Sequence, residues 1–354
     1  MYTIKITFIY DKKIGFTLCL LLNLFFVHLY TAFAQAGSSS TFSHNNLFLN
    51  ESWTDHLVSN SYQNAIHALQ TSPLQLNNVL NSGYYALAPQ LTQKSEIDWN
   101  TFSAISGGLA VSYTGLFLYI EDRWWSSPKV PFHYGEHFYA KGFDKLGHFY
   151  ASKTQAMAIS RLYELSGLSR NKSILLGSGL ALTVQTLIEL KDGWITPGFD
   201  RYDQLSNLVG IGWFLARENS DFLQRFNVRW MYYPSETRYR QPAFQNRKLA
   251  DYNGQSYWLS MRMWDLLPSK LQPYWPRFIQ PAVGVSLNDW PSTARDPSYL
   301  SYHLSLSLDF KEIFPQKTAF GRIMGDVFNS IYLPAPAFEL HPNPSFKLIF
   351  YGQD

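Results

Sequence analysis

Polar and apolar positions divide this chain into four textures. The first is an apolar run from Gly15 to Ala34, preceded by Lys5, Lys12 and Lys13 and closed by Ala32-Phe33-Ala34. That ending is the small-x-small pattern read by a signal peptidase, so residues 1–34 are expected to be a secretory signal peptide. The run is also long enough to cross a bilayer, which leaves an uncleaved anchor as the alternative. Residues 35–95 are polar and rich in Asn, Ser and Gln, with one short helix expected around Tyr62–Leu69.

The third texture is helical. Phe102–Ile120 carries no charge, Asp144–Leu165 has helical periodicity and stops near Gly167, and Ser173–Ile188 is again uncharged. Asp203–Ala216 is a shorter helix after the turn Thr196-Pro197-Gly198. Four helices on fairly short links predict an antiparallel helical bundle over residues 96–222. Gly107, Gly108, Gly177, Gly179 and Gly210 would let backbones approach closely, as in membrane bundles. Lys153, Arg161 and Glu164 on the second helix are costly against lipid. A peripheral or partly embedded bundle satisfies both facts better than four clean spans.

From about Phe226 the period changes to two. Val228–Tyr232, Gln280–Leu287 and Phe346–Phe350 read as strands. Leu304, Leu306 and Leu308 alternate with Ser305 and Ser307 inside the stretch Leu300–Phe310. Residues 223–354 are therefore expected to form a β-rich, antiparallel region packing on the bundle as an appendage. The fold class is mainly α with this β-region, α+β overall. The strands are too few, and the C-terminus lacks the aromatic, for an outer-membrane barrel.

Composition sharpens this picture. Cys19 is the only cysteine and lies inside the apolar run after Leu18, where it makes no lipidation signal. Removal of residues 1–34 takes away Cys19, three lysines and Asp11, leaving a net charge of about +1. Disulfides, thiol chemistry and Cys-ligated metals are then excluded. A charge so near zero gives no footprint for nucleic acid. Aromatic residues make up 17% and charged residues only 16%, against roughly 25% charged in a soluble domain, which leans toward contact with a membrane surface or another envelope component.

Candidate chemistry lies between residues 121 and 210. Asp144, His148, Ser152 and Gln155 share one face of the second helix at i, i+4, i+8 and i+11. Ser178, Gln185, Glu189 and Asp192 form a stripe on the third, and Asp203, Asn207 and Gly210 one on the fourth. In an up-down-up arrangement, the end of the first helix, the start of the second, the end of the third and the start of the fourth meet. Asp144, Lys145, His148, Glu189, Asp192, Asp203 and Asn207 should then converge at one mouth.

Three uses of such a cluster stay open. Asp144, Asp200 and Asp203 serve equally well as acids at helix N-termini in a structural polar network. In acid/base chemistry, His148 is the general base, oriented by Asp203 or Glu189, with Ser152 as nucleophile one turn away. No cofactor is required for either; a divalent metal on His148, Glu189, Asp192 and Asp203, a set suited to Zn, Mn or Fe, is the third use. The Glu-x-x-His pairs of di-iron bundles are missing from these helices. His133-Tyr134-Gly135-Glu136-His137 fits H-x-x-E-H, but it follows Pro131 and contains Gly135, a poor context for a zinc helix.

Gly142-Phe143-Asp144-Lys145-Leu146-Gly147-His148-Phe149, then Glu189-x-x-Asp192, then Asp203-x-x-x-Asn207-x-x-Gly210 resemble the YfiM-like predicted periplasmic lipoproteins, a family defined by a domain of unknown function. Asp251–Ser260 and Leu333-Pro334-Ala335-Pro336 look like longer members of that family. The helical core more distantly resembles VanZ-like membrane proteins. The first resemblance implies an exported envelope location, periplasmic or membrane-associated, and an uncharacterised role. The absence of a usable lipidation site departs from its lipoprotein label. The expectation is a periplasmic or membrane-associated structural or interaction protein, with an envelope hydrolase or transferase acting on lipid or cell-wall material as the alternative. Protein partners are not legible. Outside the cytoplasm, ATP and nicotinamide cofactors are not at hand.

Overall fold

A computed structural model of the protein describes residues 96–126, 128–135, 138–236, 251–291 and 297–350. The expected signal peptide and the polar segment with its helix at Tyr62–Leu69 lie outside these residues. What is described is α+β, with a helical layer followed in sequence by a six-stranded antiparallel sheet.

Helix α1, Trp99–Arg123, starts at Asp98, whose side chain accepts from the backbone N–H groups of Asn100 and Thr101 at 3.0 and 3.2 Å. It buries one stripe, Phe102, Ser106, Ala110, Tyr113, Phe117 and Ile120, and leaves Val111 and Leu118 exposed. Helix α2, Phe143–Glu164, leaves a turn in which Ala140, Lys141 and Gly142 have φ of 46°, 54° and 76°. Two non-glycine residues in the left-handed region are costly, and the burial of Ala140 and Phe143 holds them there.

Helices α3, Arg170–Asp192, and α4, Arg201–Glu218, both pack on α2 and on each other. Two glycines set these approaches. A Cβ on Gly177 would collide with Ser160 Oγ, and one on Gly210 with Ser152 Oγ and the Phe149 carbonyl. The expected four-helix bundle is not confirmed: mutual packing is concentrated in α2, α3 and α4, with α1 alongside through its single stripe.

Strands β1, Phe226–Tyr232, β2, Gln255–Met261, β3, Ile279–Asn288, β4, Tyr299–Leu308, β5, Ala335–His341, and β6, Ser345–Phe350, form a meander in sequence order. Helix α5, Ala319–Phe328, precedes β5, and the residues between them return to β1, where Trp230 N–H donates to the Ser330 carbonyl at 3.0 Å. One side of the sheet holds Met231, Trp258, Ala282, Ala337 and Phe350, with Tyr332 packed on it and stacked on Trp258 at 3.9 Å. It also buries polar groups: Arg229 donates to Ser260 Oγ, Gln280 Oε1 and the Leu308 carbonyl, each at 2.8 Å.

The other side of β1–β3 carries Trp230, Tyr257 and Val285 against Phe143, Leu146 and Tyr150 of α2. Gly147 gives the Tyr257 hydroxyl its room, since a Cβ there would stand 3.2 Å away. This contact sets the pose of the helix whose first two turns carry Asp144, Lys145 and His148.

Candidate active or metal site at the helix mouth

Backbone direction brings four helix ends together. Asp144 and Lys145 stand in the first turn of α2, His148 in the second, and Glu189 and Asp192 in the last turn of α3. Asp200 caps α4, accepting from Tyr202 N–H at 2.8 Å, and Asp203 and Asn207 follow in its first two turns. The end of α1 arrives through Glu121, 2.9 Å from Lys191 Nζ, and through Trp125, whose Nε1 donates to Asp192 Oδ1 at 2.6 Å. The convergence expected from helical spacing is present for Asp144, Lys145, His148, Glu189, Asp192, Asp203 and Asn207.

The cluster has two halves. In the first, Lys145 Nζ lies 3.0 Å from Asp144, 2.5 Å from Asp200 and 2.8 Å from Asp203. Burial alone would lower the ammonium's pKa, but the bonds to Asp200 and Asp203 and the charge of Asp144 raise it overall, so Lys145 stays charged. Burial pushes the Asp144 carboxyl up to about 6, with Asp203 adding to the rise and Lys145 opposing it.

The second half is less settled. His148 Nδ1 is 3.3 Å from Glu189 Oε1, and Nε2 is 3.9 Å from Asp203 Oδ2. Burial lowers His148 to about 4 and raises Glu189 to about 9, the latter helped by Asp203 and Asp192. Both partners are therefore neutral near pH 7, and the contact is no ion pair. Burial likewise lifts Asp192 to about 7 against the Trp125 bond. His148 Nδ1 and Glu189 Oε1 are buried without a hydrogen bond. The Asn207 amide favours a protonated His148, yet neither of its atoms meets hydrogen-bond geometry. One donor atom each of His148, Glu189 and Asp203 lies within 4.8 Å of the other two; Asp144, Asp200 and Asp203 form a second such group, around the Lys145 ammonium.

Ser152 does not present itself as a nucleophile. It is fully buried under Gly210, and its hydroxyl donates back to the His148 and Phe149 carbonyls at 2.8 and 3.1 Å. His133 and Tyr134 are extended, with Tyr134 bridged to Phe199, so this part of H-x-x-E-H is not helical; Glu136 and His137 lie outside the described residues. Phe132, Tyr134, Trp194 and Phe199 instead stack edge to face beside the mouth, and Gly193 leaves the space Phe132 fills. Nothing in the sequence singles out Trp125, since an indole offers no chemistry of its own. By sequence Asp200 is a helix cap; its bond to Lys145 joins residues far apart in the chain.

A comparison with known families finds a match over this part of the chain. Residues 133–217 match the family model described as predicted periplasmic lipoprotein (DUF2279). The DUF2279 match takes in α2, α3, α4 and the aromatic loop, and stops before the sheet. An exported, periplasmic or membrane-associated location accords with that description. The more distant VanZ resemblance is not borne out. No curated protein and no solved structure matches the chain.

Proposed function

We propose that this protein is an envelope hydrolase or transferase for lipid or cell-wall material, built around a divalent cation at the helix mouth. His148, Glu189 and Asp203 are the ligands, one imidazole nitrogen and two carboxylates, a set that suits Zn, Mn or Fe. The observation that carries this reading is the group of buried, unbonded polar atoms on His148, Glu189 and Asn207, because buried polar groups without partners are costly and rare in a closed network. A cation held there would polarise an ester or phosphoryl oxygen and activate water. It also offsets the excess of carboxylates that would repel an anionic headgroup, Lys145 being tied to three acids and Lys191 to Glu121.

The structural reading has its own support in the first half of the cluster. The knot of Lys145 with Asp144, Asp200 and Asp203 is closed, and it fastens the start of α2 to the start of α4. In this division of labour, one half holds the mouth and the other half works in it.

Metal analysis and calorimetric titration of the purified protein with MnCl2 and ZnCl2 test the proposal. One ion per chain is expected, with binding lost in His148→Ala and Glu189→Gln. Those variants should fail to complement a deletion phenotype while accumulating to normal levels. Absence of binding together with full complementation by both variants overturns it.

A further inference from the structure

Sheets in water-soluble proteins turn their apolar residues inward and their polar ones outward. Here the order is reversed over β3 and β4. Ser286, Ser301, His303 and Ser307 lie on the Trp258 side of the sheet and are buried, while Val283, Leu304, Leu306 and Leu308 lie on the other side and are exposed. The buried polar groups bond one another, as Ser286 Oγ and His303 Nε2 do at 2.8 Å. The strand registers place Leu259, Val283, Leu304, Phe338 and Phe346 side by side across β2 to β6, a continuous apolar row whose members are 39% to 65% exposed.

We propose that the part of the outer face of β3–β6 beyond the α2 contact, exposed among the described residues, seats in the acyl-chain layer of a phospholipid bilayer. Three features favour lipid as the occupant. No outward position of β3 or β4 carries a charge, although the mean surface of a soluble domain is rich in them. Tyr302 stands exposed on the same face at one end of the aliphatic band, and tyrosines are enriched where a protein meets the edge of a hydrocarbon layer. From Tyr302 to Leu308 the band runs roughly 20 Å along the strand, a depth comparable to the apolar girdle of membrane-embedded sheets. This inference is independent of the chemistry at the helix mouth.

The test is flotation of the purified full chain with vesicles of phosphatidylethanolamine and phosphatidylglycerol. The wild-type protein should float, and Leu306→Glu and Phe338→Glu should each weaken partitioning by about 30-fold or more. Both positions are exposed, so unchanged melting curves should accompany the loss. As a second measurement, Leu306→Cys in a Cys19→Ser background carries an environment-sensitive dye, which lipid should blue-shift and doxyl-labelled acyl chains should quench. A protein that stays with the aqueous fraction and a dye that lipid leaves unchanged overturn the proposal. So does a lipid-free dimer that Leu306→Glu dissociates, since a second copy would then be the occupant.

Discussion

Lys145→Met removes the cation from a site in which three carboxylates stand within hydrogen-bonding distance of one ammonium. At 2.5 to 3.0 Å and an effective dielectric of about 20, each contact carries roughly 6 kcal/mol of gross attraction. Desolvation of the ammonium and repulsion among Asp144, Asp200 and Asp203 consume most of that total. Removing one partner from a buried ionic group typically costs about 3–5 kcal/mol, because the charges left behind have no compensation. For a body of this size, one kcal/mol moves Tm by roughly 2–4 °C, so a drop of about 10 °C is expected at pH 8. The pH dependence follows from the same charges. Without the ammonium, the folded-state pKa values of the three acids rise above their unfolded values. The folded protein then binds more protons than the unfolded chain, and its stability falls as pH rises through that window. Calorimetric melts of wild type and variant at pH 5 and pH 8 should therefore show a gap that widens with pH. A loss below about 2 °C at pH 8, or an equal loss at both values, would refute the closed-knot account.

Two further perturbations probe how the helices meet each other and the sheet. Gly210→Ala pushes a methyl group into Ser152 Oγ and the Phe149 carbonyl and should cost about 1–3 kcal/mol, whereas Gly212→Ala on the same helix meets nothing within 4 Å and should be neutral or slightly stabilising; equal melting of the two variants contradicts the close approach of α2 and α4. Lys153 is buried, donates to the Val228 carbonyl at 2.8 Å, and is lowered to about 7 by burial, with Arg217 and Arg229 adding to the fall. Its charge therefore opposes folding, fully below pH 7 and progressively less up to about pH 10. The shift amounts to about 5 kcal/mol, from which an unsatisfied Val228 carbonyl subtracts about 1–2. Lys153→Met should thus gain about 3 kcal/mol in denaturant titrations at pH 6, with the gap closing by pH 10, and a variant weaker than wild type at pH 6 goes against this reasoning.

Local rules determined much of what the sequence could tell. Uncharged or periodic stretches marked α1 to α4, and alternation marked β1, β3, β4 and β6, because helical and strand periods are properties of neighbouring residues. The mouth was legible for the same reason: helical spacing fixed which of Asp144, His148, Glu189, Asp192, Asp203 and Asn207 share a face, and chain direction fixed which helix ends meet. Strands β2 and β5 escaped, since Gln255–Met261 buries residues on both faces and Ala335–His341 contains Pro336 on an outward position. The tertiary structure alone decided the rest. It gave Lys145 to three acids from two helices, left His148 and Glu189 neutral by burial, and turned the Ser152 hydroxyl back on its own helix. It also decided which way the alternating leucines face. Period two says that Leu304, Leu306 and Leu308 lie on one side of a strand, but not which side; the polar groups gathered by Arg229, Gln280 and His303 claimed the interior, and the leucines were left outside.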